Sequence, residues 1–304
     1  MVDLSVKVAA LTLKNPIIAA SGTFGFGQEM AEFFDISTIG AISTKGFTRL
    51  PRKGNPAPRV AECDCGMLNA VGLQNPGLEV VLQQELPFMR SANATIIANI
   101  AGDTAEDYIY ITERLAQEDI AAIELNFSCP NVKEGCITFG SDPKMIELLT
   151  AECVKRSPHP IWVKLTPNVT SISDMAKAAE QGGAVAVSLI NTLLGMVIDI
   201  ETRRPILHNN TGGYSGPGIK PVALRMISEV YNSVSIPIVG MGGISSAEDV
   251  AAFMIAGASA IQIGTGLLVE PSLPWKILAE LPELCRKLKV DRISELTGTL
   301  ELWT

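Results

Sequence analysis

The sequence is short of histidine, aromatics and basic excess. Two histidines among 304 residues, His159 and His208, leave no room for a His-based triad or a His-rich metal site. Lys and Arg number 24 against 32 Asp and Glu, a net charge of -8, and no basic run stands out, so nucleic acid is not an expected partner. No apolar stretch reaches the roughly 18 residues that span a bilayer. The start, Met1-Val2-Asp3-Leu4-Ser5-Val6-Lys7-Val8, lacks the apolar core of a signal peptide. A cytoplasmic protein without membrane attachment is expected. Six cysteines in a chain of this length do not make a disulfide framework. Cys63 and Cys65 form a C-x-C pair with no second pair at zinc spacing, and read as small buried or loop residues. Cys153 and Cys285 fall in helical patterns and read as packing residues. No G-x-G-x-x-G follows a strand, which weighs against a doubly wound dinucleotide fold.

What is present is alternation. Short apolar runs at 16–20, 40–44, 96–100, 122–127, 161–165, 185–190, 236–241 and 260–264 read as buried strands. Amphipathic stretches separate most of them. Ser141-Asp142-Pro143 reads as a cap with Pro in the first turn. Ser173-Asp174 is expected to open a helix closed by Gly182-Gly183, and Ser245-Ser246 another ended by Gly257. Eight β-then-α units predict a single α/β domain over 1–304, a (β/α)8 TIM barrel. Residues 1–15 read as an N-terminal hairpin closing the barrel floor. The Gly-, Asn- and Thr-rich stretch at about 191–220 reads as a long loop at the C-terminal rim.

The strand ends carry the chemistry. They read Ser21-Gly22-Thr23, Lys45-Gly46, Asn99, Asn126-Phe127-Ser128-Cys129-Pro130-Asn131, Lys164, Asn191-Thr192, Gly242-Gly243 and Gly264-Thr265-Gly266. One polar strand end is commonly a cap, but eight together indicate a ligand site at the rim. The glycine turns after strands seven and eight suit an anion held by backbone N–H groups, with Ser245 and Ser246 adding hydroxyls. The alternative is that these glycines only make tight turns. Lys45 and Lys164 point to an anion, for which a reduced flavin ring is one candidate, unless they lie just beyond the strands on the surface. Cys129 stands out as the proton-transfer group. The flanking asparagines suit a planar ligand whose edge alternates N–H and C=O.

The Asn126–Asn131 run, continued by Val132, resembles the active-site loop of class 1 dihydroorotate dehydrogenases. So do Met67-Leu68-Asn69-Ala70-Val71-Gly72-Leu73-Gln74-Asn75, Ile190-Asn191-Thr192, the segment from Gly212 to Pro217, and Gly240-Met241-Gly242-Gly243-Ile244. The stretch from Gly195 to Pro205 and Lys133-Glu134-Gly135 are similar to the 1B subgroup. Cys136 and Tyr214 depart from that pattern, where Gly and Leu are expected, both in loops near the site.

The resemblance implies oxidation of dihydroorotate to orotate in pyrimidine biosynthesis, with FMN as cofactor and Cys129 as the base that removes the C5 proton. It implies FMN contacts at Ser21, Lys45, Gly46, Asn99, Asn126, Lys164, Ile190, Gly216, Gly242, Gly243, Gly264 and Thr265. It implies substrate contacts at Lys45, Asn69, Ala70, Val71, Gly72, Leu73, Asn126, Asn131, Asn191 and Thr192. It further implies a partner subunit carrying FAD and a [2Fe-2S] cluster that passes electrons to NAD+, in a heterotetramer of two catalytic and two electron-transfer subunits. Close alternatives are a dihydrouracil-oxidising flavoenzyme, a fumarate-linked 1A enzyme and a non-redox phosphate-binding barrel.

Overall fold

The computed structural model describes residues 2–127 and 139–303. Eight strands close into a parallel barrel: β1 (Ile17–Ala19), β2 (Ala41–Ser43), β3 (Ile96–Ile100), β4 (Ala122–Asn126), β5 (Ile161–Lys164), β6 (Ala186–Leu189), β7 (Ile238–Met241) and β8 (Ala260–Ile263). Neighbours in sequence are neighbours in the barrel, and β8 closes onto β1 through pairs such as Ile261 with Ile17. All eight expected strands are there, each within two residues of its expected ends. They were legible because every residue in them is buried, so they read as short, largely apolar runs.

Helices pack outside the strands, and local signals fix their ends. Thr104 accepts from the Asp107 N–H, and the Asp107 carboxylate accepts in return, a reciprocal box that starts helix Ala105–Leu115 between β3 and β4. Asp142 caps helix Pro143–Arg156, with proline in the first turn. Helix Ile172–Gln181 begins earlier than Ser173-Asp174 suggested. Ser171 is its cap, accepting from the Asp174 N–H, because that start turns Ile172 into the core. Ser246 caps helix Ala247–Ile255, as expected.

The first residues form an antiparallel hairpin of Val6–Val8 with Leu11–Leu13, leading directly into the N-terminal end of β1. Val8 and Leu13 are buried, as a barrel floor requires. Two segments combine above the opposite end. Strands Val60–Cys63, Gly66–Asn69, Leu193–Gly195 and Gly212–Ser215 form a four-stranded antiparallel sheet over a small apolar cluster of Ala61, Leu68, Ala70 and Leu207. The sequence reading had only a loop here. Tyr214, expected in a loop, lies on the sheet's Gly212–Ser215 strand, and its hydroxyl donates to the Asp64 carbonyl at the far hairpin tip. It packs against both the barrel core and the small cluster. Cys63 is half-buried at the end of a hairpin strand and Cys65 is exposed in its turn, whereas Cys153 and Cys285 are buried in helices. Burial pushes the Cys153 thiol up to about 11.

Candidate active site

The C-terminal ends of the strands converge on one cavity. Its lining includes Ser21, Lys164, Ile190, Asn191, Gly216, Gly242, Gly243, Gly264 and Thr265, all named from the sequence. Ala20, Thr23, Ser215, Ile219 and Met241 complete it. The glycines have a steric reason to be there. Gly216, Gly242 and Gly243 adopt positive φ of 104°, 131° and 77°. A β-carbon at Gly243 would come within 2.7 Å of the Gly216 carbonyl, so these two turns touch backbone to backbone. At Gly264 a β-carbon would meet only Ala20, at 3.8 Å, and would otherwise project into open space. The strand-eight turn is therefore glycine for the sake of room in the cavity.

Behind the strand-seven turn, Lys220 donates to Asp249 at 2.6 Å. Burial pushes the Asp249 carboxyl up, but hydrogen bonds from Lys220 and Ser245 outweigh it and hold the group below its usual range. The hydroxyls of Ser245 and Ser246, expected to reach an anion, are instead committed to the helix cap. Ser245 donates to the Asp249 carboxylate and Ser246 accepts from the Asp249 N–H. Neither lines the cavity. A hydroxyl the sequence reading passed over, that of Ser215, does, and accepts from Thr265 at 2.7 Å.

Lys164 is the most constrained charge in the site. Only 4% of it is exposed, and its Nζ donates to Ser21 Oγ at 3.1 Å. It makes no ion pair with a described residue. Burial pushes its pKa below the ordinary 10.5, and the negative charge of Glu124 draws it back up. A buried ammonium in this setting is costly until an anion reaches it.

A second cluster adjoins the cavity. Lys45 and Gly46 follow β2, and a β-carbon at Gly22, next to Ser21, would sit 3.8 Å from Lys45 Nζ. Asn126 Nδ2 faces Asn99 Oδ1 at 3.5 Å, and a β-carbon at Gly46 would come 2.8 Å from that same oxygen. Gly46 is thus glycine to let the Asn99 carbonyl through. Tyr108, on the helix after β3, donates to the Asn126 carbonyl at 2.8 Å and anchors the end of β4.

The expected substrate residues divide. Asn191 lines the cavity, and its Oδ1 accepts from the Thr192 N–H. Asn168, not singled out from sequence, donates to the Thr192 carbonyl and accepts from the Leu194 N–H, so it braces this strand end. Asn69 sits on the small sheet with its amide on the Gly213 carbonyl. The Ala70 and Val71 carbonyls both accept from Asn55. Gly72 and Leu73 turn through positive φ, and the Leu73 side chain lies 3.7 Å from the β-carbon position of Gly46. The 69–73 segment therefore reaches the second cluster. Cys129, Asn131, Lys133, Glu134, Gly135 and Cys136 lie outside the described residues. Among the described residues no group of three or more His, Cys, Asp or Glu could hold a metal ion, and no helix is long and apolar enough to cross a membrane.

Comparison with known proteins agrees along the whole chain. Residues 3–285 match the family model described as Dihydroorotate dehydrogenase. A protein of Geobacillus sp. (strain WCH70) named "Dihydroorotate dehydrogenase B (NAD(+)), catalytic subunit" is 54% identical over 296 residues, 97% of this chain and 95% of the relative. Proteins of the same name from Bacillus mycoides (strain KBAB4) and Lachnoclostridium phytofermentans are 53% and 48% identical, over 97% and 98% of this chain and 96% and 100% of theirs. With a barrel of the expected order and a cavity at its C-terminal rim, a match of this extent leaves one assignment: the chain belongs to the dihydroorotate dehydrogenase family.

Proposed function

We propose that this chain is the catalytic subunit of an NAD+-linked dihydroorotate dehydrogenase, a single barrel domain that oxidises dihydroorotate to orotate in pyrimidine biosynthesis. The family implies a flavin, and we assign it as FMN, one per subunit. The observation that carries this is the cavity itself: a buried lysine without an ion-pair partner among the described residues, facing glycine turns shaped for a bulky anion. These donors fit the cofactor. Gly216, Gly242, Gly243, Gly264 and Thr265 would hold the phosphate by backbone N–H and hydroxyl groups. Lys164, Lys45, Asn99, Asn126 and Ile190 would surround the ring, and Ser21 would position Lys164.

FMN held there would supply a two-electron acceptor for the hydride that leaves C6 of dihydroorotate. Cys129 as thiolate takes the proton from C5, so a C5=C6 double bond forms and orotate results. Lys45, Asn69, Asn126, Asn131, Asn191 and Thr192, with the Val71-Gly72-Leu73 backbone, orient the pyrimidine edge and its carboxylate.

The relatives' name, catalytic subunit, implies a partner. We assign that partner as an electron-transfer subunit with FAD and a [2Fe-2S] cluster, in a heterotetramer of two subunits of each kind. Leu194, Met196, Ile198 and Ile200 are exposed in succession on the segment after β6, as surface awaiting a subunit would be. The test is acceptor-dependent turnover. The purified chain should oxidise dihydroorotate with an artificial dye as acceptor, and should reduce NAD+ only after the partner is added. NAD+ reduction by the chain alone, or no dye reduction by a flavin-loaded chain, would contradict the assignment.

A further inference from the structure

A fully buried carboxylate lies beneath the site and takes no part in the chemistry above. Glu124, on β4, accepts four hydrogen bonds. Ser43 Oγ (2.8 Å) and Asn99 Nδ2 (2.6 Å) meet Oε2, and Ser188 Oγ (2.6 Å) and Gln262 Nε2 (2.8 Å) meet Oε1. The donors come from β2, β3, β6 and β8. Two donors on each oxygen is the coordination of an anion. A buried charge is tolerated in a barrel core only when its hydrogen bonds are met in this way.

The network's place in the barrel is regular. Alternate strand residues share a face. Ser43 is two residues before Lys45, Glu124 two before Asn126, Ser188 two before Ile190 and Gln262 two before Gly264. Each of these four lies one inward-facing step, about 6–7 Å of strand, below a residue of the proposed site, and Asn99 joins the two levels. The carboxylate is therefore the centre of the layer that floors the site.

It also decides which way two amides point. Gln262 turns its Nε2 to Glu124 and leaves its Oε1 buried without a partner among the described residues. The reverse orientation would set a carbonyl against a carboxylate. An orphaned buried acceptor is a real cost, so the anion dictates this geometry. Asn99 obeys the same constraint with a different result. Its Nδ2 is held below by Glu124, and its Oδ1 is presented upward, between Gly46 and Asn126 Nδ2.

We propose that Glu124 is a positioning residue for the bound flavin: it fixes Asn99 with its acceptor toward the ring and places its negative charge beneath it, opposing Lys164. This rests on the flavin reading above. The charge disfavours electron density on the ring, so it keeps the bound cofactor harder to reduce than Lys164 alone would make it.

The test is an anaerobic redox titration of the FMN-loaded protein. Glu124→Gln keeps the shape and removes the charge, and its bound flavin should titrate at a more positive potential than wild type. Ser188→Ala keeps the charge but removes one hydrogen bond from it. Its flavin should titrate at a more negative potential, by a smaller step. A flavin-loaded Glu124→Gln protein with the wild-type potential overturns the proposal. If that variant does not fold or load, Ser188→Ala decides, and an unchanged potential there overturns it. A wild-type protein that takes up no FMN would instead overturn the underlying flavin reading.

Discussion

The two ends of the cavity are built differently. At one end the wall is backbone: Gly216, Gly242, Gly243 and Gly264 bring main chain to the cavity, and side chains such as Lys220, Asp249 and Ser245 stand behind them. At the other end the wall is made by side chains. Lys164 lines it and donates to Ser21, and Asn99 and Asn126 adjoin it, with Asn99 held from below by Glu124. Backbone recognition depends on space and tolerates no added atoms. Side-chain recognition depends on charge and amide orientation, so loss of one atom is felt. The two ends should therefore fail in different ways.

The largest effect is expected where chemistry depends on one side chain. Cys129→Ser should retain FMN yet lose about 10²–10⁴-fold in turnover near pH 7, because a thiol yields its anion near neutral pH and a serine hydroxyl does not. Steady-state rates with an artificial acceptor, beside flavin content, check this. Turnover close to wild type would remove Cys129 from the mechanism. At the backbone end, Gly264→Val should leave thermal stability nearly unchanged, since a β-carbon there meets only Ala20. It should weaken FMN binding by roughly 10–100-fold, about 1.4–2.8 kcal/mol. A variant that binds FMN normally would show that the cofactor does not pass that wall.

At the side-chain end, Lys164→Met should weaken FMN binding or slow flavin reduction by about tenfold, a smaller loss because the glycine turns still hold the other end. The same variant yields the smallest and most specific signal, in the protein without cofactor. Burial holds the folded pKa of Lys164 below the ordinary 10.5. Between that lowered value and 10.5 the unfolded chain binds a proton that the folded chain does not, so this lysine makes stability rise with pH. The contribution is complete above 10.5 and is lost as pH falls through the folded value. Lys164→Met should remove that rise, which denaturation midpoints of the two proteins across alkaline pH would show. Parallel curves would mean that Lys164 is not perturbed in solution.

The same contrast governs what the sequence reveals. The barrel strands were readable because each is buried on both faces and short, a local property of five or so residues. The backbone end was readable as well, since a glycine pair after a strand announces itself. The small antiparallel sheet was not. Its strands are three or four residues long, carry Gly66, Gly195, Gly212 and Gly213, and the central pairing joins Gly66–Asn69 to Gly212–Ser215 across more than a hundred residues of chain. The polar floor was harder still. Glu124 interrupts an apolar run and could have been questioned on that ground, but its four partners lie 81, 25, 64 and 138 residues away. Ser245 and Ser246 were read both as a helix opening and as hydroxyls for an anion; they serve the helix end, and neither lines the cavity.

The central claim is that this cavity holds a flavin reduced by dihydroorotate. An anaerobic absorbance titration of the purified chain tests it directly. The account predicts a yellow protein whose flavin band bleaches on addition of dihydroorotate, to completion at about one equivalent per bound FMN. A colourless protein that takes up no added FMN, or a flavin band that dihydroorotate leaves unchanged, would contradict it.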